Sequence, residues 1–171
     1  MEKQNNNNFV DIKYEQTGRS ANVDGLGMRE MQAKAYKYRN KRFLLIKAPP
    51  ASGKSRALMF IALDKLANQS IKKVVVAVPE KSIGRSFKNT SLKKFGFFAD
   101  WKVAPYFDLC STEGNESDKA GRFCEFMHDA VSRILVCAHA TLRNAMKQLE
   151  DKDWDNCLLA IDEFHHTSAD V

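Results

Sequence analysis

The segment Ala48-Pro49-Pro50-Ala51-Ser52-Gly53-Lys54-Ser55 carries the residue types that grip a polyphosphate. It meets the spacing G-x-x-x-x-G-K-S/T at every fixed position except the first, where Ala48 stands for glycine. Backbone N–H groups of such a loop wrap phosphate oxygens, and the helix that follows points its positive end at them. Pro50, Ala51, Ser52, Gly53, Lys54, Ser55 and Arg56 are therefore the candidate nucleotide contacts. Lys54 would set a point charge between the β- and γ-phosphates, and Ser55 would offer a hydroxyl to Mg²⁺. A chance turn followed by a lysine is the competing reading.

Far along the chain, Leu158-Leu159-Ala160-Ile161 runs into Asp162-Glu163-Phe164-His165-His166. Four apolar residues ending in Asp-Glu have the form of a Walker B strand. Asp162 is the expected Mg²⁺ ligand, through water, alongside Ser55. Glu163 is the expected general base that orients the water attacking the γ-phosphate. Two adjacent carboxylates could equally mark an exposed turn, but pairing with a phosphate loop disfavours that reading. His165 and His166 lack partners at metal-ligand spacing, since His128 and His139 offer none. The cysteines, at 110, 124, 137 and 157, form no C-x-x-C pair and read as reduced, small hydrophobes.

Elements must position these groups. Residues 1–8 read as a polar, Asn-rich leader and Phe9 to Tyr14 as a short edge strand. Met28 to Tyr38 reads as a helix. Arg42 to Ala48 is expected to be a buried strand, Lys54 to Asn68 a helix, and Lys73 to Val78 a strand ended by Pro79. A weaker helix over Ser82 to Lys94 and a strand over Trp101 to Leu109, interrupted by Pro105, follow. Ser111 to Asp118 reads as a loop. Lys119 to Val131 is an expected helix, Arg133 to Ala138 a strand, Ala140 to Leu149 a helix and Cys157 to Asp162 a strand. Continuous apolar strands between helices predict a parallel sheet covered on both faces, with ligands at the carboxyl ends of its strands.

The 171 residues, 44% hydrophobic, suit one domain. No apolar run approaches the ~20 residues of a membrane span, and no apolar segment follows the polar start, so a cytoplasmic protein with no membrane role is expected. Charge is uneven. Residues 34–102 hold 17 Lys and Arg against 3 acidic residues, a net of +14, while residues 103–171 hold 6 against 13, a net of −7. A basic excess of that size over one segment points to a polyanionic partner, nucleic acid first, or else to a solvated basic face.

Taken with Arg29-Glu30-Met31-Gln32 upstream, these motifs resemble the first motor domain of a superfamily-two helicase of the D-E-x-H type. That group includes type I and type III restriction-enzyme motor subunits and related translocases. Alanine in place of the first glycine is usual there. The resemblance implies an α/β, three-layer, RecA-like P-loop fold with a mostly parallel central sheet, over residues 28–171, preceded by a polar leader at 1–27. It implies ATP and Mg²⁺ as ligands and nucleic acid, DNA in preference to RNA, as partner.

By the same resemblance Gln32 would read the adenine edge. Pro79, Lys81, Ser82 and Arg85 would contact the nucleic-acid backbone, as would His139 and Thr141. His165 would couple nucleotide state to a second RecA-like domain. The sheet is expected to be incomplete at its C-terminal side, because the chain stops short of the next motif strand, and the second motor domain is expected to lie outside it. An arginine supplied from there contributes ~10³ to 10⁵ in rate to such sites, so residues 1–171 alone are expected to be nearly inactive. Alternatives are a P-loop ATPase that never touches nucleic acid, or a nucleic-acid-binding module with a degenerate nucleotide site.

Overall fold

The β-branched run Lys73–Val78 forms the central strand, because it is apolar on both sides and can be covered on both. The computed structural model of the chain describes residues 11–13 and 24–163. Within them lie β1 (Asp11–Lys13), α1 (Glu30–Tyr36), β2 (Leu45–Lys47), α2 (Lys54–Asn68), β3 (Lys73–Val78), α3 (Lys81–Gly84), α4 (Glu116–His128), β4 (Ile134–Ala138), α5 (His139–Met146) and β5 (Cys157–Ile161). Every paired strand is parallel, as expected for strands joined by helical crossovers. They form two sheets: β4-β3-β5, and separately β1-β2.

Period-two alternation along β3 divides the core. Val74, Val76 and Val78 join Phe60, Leu63, Phe87, Phe97 and Trp101 on the α2 side. Val75 and Ala77 join Leu109, Phe123, Phe126, Leu135 and Leu142 under α4 and α5 on the other. Helix, sheet and helix thus make three layers, the α/β fold of a P-loop domain. No described helix is long and apolar enough to cross a membrane.

Several expectations need correcting. The helix expected over Ser82 to Lys94 is only α3, followed by 3₁₀ turns at Arg85–Phe87 and Lys93–Phe95. Trp101 to Leu109 is not a strand. Trp101 makes a single antiparallel bridge to Thr90, and a 3₁₀ turn at Pro105–Phe107 follows. Side chains hold this stretch instead: Trp101 Nε1 donates to Phe87 O at 2.7 Å, and Asn89 Oδ1 accepts from Val103 N–H at 2.7 Å. Helix α4 starts at Glu116, inside the expected loop, because Asn115 Oδ1 caps it by accepting from Asp118 N–H at 2.9 Å. Strand β2 is shorter than Arg42 to Ala48 and is not buried: Leu45 and Lys47 are exposed and Ile46 half-buried, because its only described partner is the short β1. The leader at 1–8 and the residues Phe164, His165 and His166 lie outside the described residues.

Candidate nucleotide-binding site

Strand β2 ends at Lys47 and α2 begins at Lys54, so the phosphate-type loop spans the connection. Its turn needs two left-handed residues, Ala51 at φ 60° and Gly53 at φ 91°. Gly53 is constrained twice, because a Cβ there would also meet Gln32 Nε2 at 2.4 Å. Non-glycine residues in that region are strained, and such strain collects at functional sites. Glu163, at φ 49°, is a second instance at the end of β5.

The two motifs converge. Lys54 Nζ donates to Glu163 Oε1 at 3.1 Å and to Ala48 O at 3.2 Å. Asp162 is fixed by its own N–H donating to Ala77 O at 2.9 Å, which extends the β3–β5 ladder by one bond. Burial pushes the Asp162 carboxyl above its usual value, and the neighbouring Glu163 charge pushes it the same way. Two adjacent carboxylates that repel one another are the kind of donor set a hard divalent cation relieves. Ser52 Oγ is buried without a hydrogen-bond partner, an open donor inside the loop. These features suit a phosphate-bearing ligand with its metal ion.

Gln32 is 2% exposed, and both ends of its carboxamide are engaged. Nε2 donates to Gly53 O at 3.2 Å, while Oε1 accepts from the N–H of Arg29, the N-cap of α1, at 2.9 Å. The side chain therefore ties α1 to the turn that opens α2. Arg56 lies with its guanidinium over the Phe95 ring at 5.5 Å. Pro50 and Ala51 are exposed at the loop tip.

The residues expected at nucleic acid divide. Lys81, Ser82 and Arg85 are exposed on α3 and the turn after it, with Pro79 half-buried beside them. His139 and Thr141 are buried. His139 Nε2 reaches Asp162 O at 3.1 Å, so its ring spans from the end of β4 to the acidic motif. A carbonyl can only accept, so Nε2 carries the proton, and burial holds the ring pKa below its usual value. Thr141 Oγ1 donates to Glu116 Oε2 at 2.7 Å, and Glu116 Oε1 pairs with Lys81 Nζ at 3.4 Å. Glu116 is the residue that sequence reasoning passed over. The Asn115 cap locates it at the start of α4, but nothing local links it to Lys81 or Thr141.

A sequence profile described as "Type III restriction enzyme, res subunit" matches residues 14–170. The chain is 58% identical over 164 residues to "Putative ATP-dependent helicase YeeB" of Bacillus subtilis (strain 168), covering 96% of this chain and 27% of that protein. It is 34% identical over 127 residues to "Putative helicase 22" of Sulfolobus islandicus filamentous virus (isolate Iceland/Hveragerdi), covering 74% of this chain and 20% of the relative. The chain thus spans about a quarter of the length of these curated relatives or less. No solved structure matches. With a family match over nearly all its residues, a phosphate-type loop opening α2 and an Asp-Glu pair closing β5, the chain belongs to the type III restriction enzyme res-subunit family.

Proposed function

We propose that the chain is the ATP-binding part of an ATP-dependent nucleic-acid helicase or translocase. The observation that carries this reading is the 3.1 Å contact between Lys54 Nζ and Glu163 Oε1. It joins a loop and a strand end that are remote in sequence, at the carboxyl ends of parallel strands. Two relatives bear helicase names, and the net +14 over residues 34–102 suits a polyanionic track.

Each residue then has a task. Backbone N–H groups of Ala51, Ser52 and Gly53 cradle the phosphates, with Pro50 and Arg56 beside them, and Ser52 Oγ gains the acceptor it lacks. Lys54 exchanges Glu163 for the β- and γ-phosphates. Ser55 and Asp162 hold Mg²⁺, which when bound neutralises charge developing on the phosphates. Glu163, released by Lys54, orients the attacking water and accepts its proton. Gln32, at the turn, reads the adenine edge by exchanging its bond to Gly53 O. Pro79, Lys81, Ser82 and Arg85 meet the nucleic-acid backbone, DNA in preference to RNA, with His139 and Thr141 behind them. His165 couples the site to a second RecA-like domain. Residues 28–171 form the first of the two motor domains. The setting is the cytoplasm.

In the full-length protein, Lys54→Ala should abolish ATP binding measured by calorimetry. Glu163→Gln should keep binding and lower phosphate release by about 10²- to 10⁴-fold. Equal ATPase rates for wild type and Glu163→Gln would refute the assigned base. Added DNA should raise the ATPase, with affinity falling steeply as salt rises. A flat salt response would favour an ATPase that does not act on nucleic acid.

A further inference from the structure

Three groups converge on the Glu116 carboxylate from separate elements. Thr141 Oγ1, in the first turn of α5, donates to Oε2 at 2.7 Å. Lys81 Nζ, at the start of α3, pairs with Oε1 at 3.4 Å. Lys119, one turn along α4, is 1% exposed with Nζ pinned to Leu109 O at 2.8 Å, and it adds a second positive charge beside the pair. The Thr141 hydrogen bond, against partial burial and with Lys81, keeps the Glu116 carboxyl below its ordinary value, so it stays ionised. A hydroxyl and an ammonium closing on two oxygens of one anion is the donor set that also holds a backbone phosphate. The Glu116 side chain is 37% exposed and leads from the first residue of α4, so it can swing outward without disturbing the core.

We propose that Lys81 and Thr141 form a phosphate seat for a nucleic-acid strand, and that the Glu116 carboxylate fills this seat until the strand displaces it. The proposal rests on the nucleic-acid reading of the loops after β3 and β4. It explains why Thr141 is fully buried in a surface expected to meet phosphate: Glu116 holds its hydroxyl. It also gives the surface a built-in penalty against weak anions, because an incoming phosphate must outcompete a carboxylate already in place.

The test is the binding of a fluorescent oligothymidylate to the full-length protein over a salt series. Glu116→Gln should tighten binding roughly two- to fivefold, the coupling expected of a partly exposed ion pair. It should also steepen the log-affinity against log-salt slope by about 0.7, because Lys81 no longer enters binding already neutralised. Unchanged or weaker binding by Glu116→Gln, with an unaltered thermal melt, overturns the seat. Lys81→Ala distinguishes the two levels of the argument. If it leaves wild-type binding unchanged, the nucleic-acid reading of this loop falls, whatever Glu116 does. In the Lys81→Ala background, Glu116→Gln should give no gain. A gain that persists there reports only the loss of a negative charge and also overturns the proposal.

Discussion

Leu135 and Leu159 stand in register with the same residue, Val75, one on each side of it, yet Leu135 is fully buried and Leu159 is 36% exposed. The first lies on β4, where the sheet is roofed by α4 and α5. The second lies on β5, beyond which the described residues supply no further strand. Strand β2, in the other sheet and leading into the loop that meets the end of β5, is likewise open, with Leu45 39% exposed. The strands that end in the candidate chemistry are therefore the less buried ones. In that region, contacts a ligand would replace, such as Lys54 to Glu163 and Lys54 to Ala48 O, stand where the interior has a hydrogen-bond ladder. Such regions belong to the low-stability end of a fold, as binding elements must.

The sharpest way to break this contrast is Leu135→Ala. Deleting a buried leucine should cost about 2–5 kcal/mol by denaturant unfolding, while nucleotide affinity of the folded protein stays near wild type. A loss below 1 kcal/mol would show that β4 is not part of the stability core.

Asp64 probes what holds that region instead of a ladder. Buried on α2, it accepts from Tyr36 Oη at 2.8 Å, Asn68 Nδ2 at 3.0 Å and Gln69 Nε2 at 3.3 Å, with Arg39 Nε at 3.3 Å. It clamps α1 to α2, the pair that backs β2. Burial pushes its carboxyl up, but the Tyr36, Asn68 and Gln69 bonds and Arg39 outweigh that and hold it below 3.8. A carboxyl with its folded value depressed stabilises above the unfolded value and loses that contribution as pH falls through the folded one. Asp64→Asn should therefore cost about 1–3 kcal/mol at neutral pH, and the gap to wild type should close as pH drops below 3.8. A gap independent of pH would mean that the charge plays no part in the clamp.

Leu159→Ala should have the smallest effect, about 1 kcal/mol, since 36% of the residue already faces water and the gap it leaves opens to solvent. An effect equal to that of Leu135→Ala would erase the distinction between the two sides of β3.

Local sequence was enough wherever one period or one cap dominates. Helix α2 begins and ends where Gly53, Lys54 and the apolar spacing from Leu58 to Leu66 place it, and β3 matches its apolar run from Lys73 to Val78. The phosphate-type loop and the Asp-Glu strand end were legible for the same reason, as short motifs between recognisable elements. The stretch from Arg85 to Leu109 was not. Its aromatic residues imitate a strand, but they are placed by long-range bonds such as Trp101 Nε1 to Phe87 O and by packing of Phe97 on Phe60, with ring centroids 4.7 Å apart. Glu116 was invisible as a site residue because charge pairing across α3, α4 and α5 leaves no trace in any local spacing.

By itself, then, the amino-acid order determined which residues belong to strands and helices around the central sheet, and which types sit at their carboxyl ends, because hydrophobic period and turn chemistry act over a few residues. Tertiary structure alone decided that Lys54 meets Glu163, that His139 reaches the Asp162 carbonyl, that Thr141 is covered by Glu116, and that β2 and β5 lie in separate sheets. Those are distances between remote segments, and they follow from how layers pack and which strand edges find a partner, quantities that no window of the chain contains.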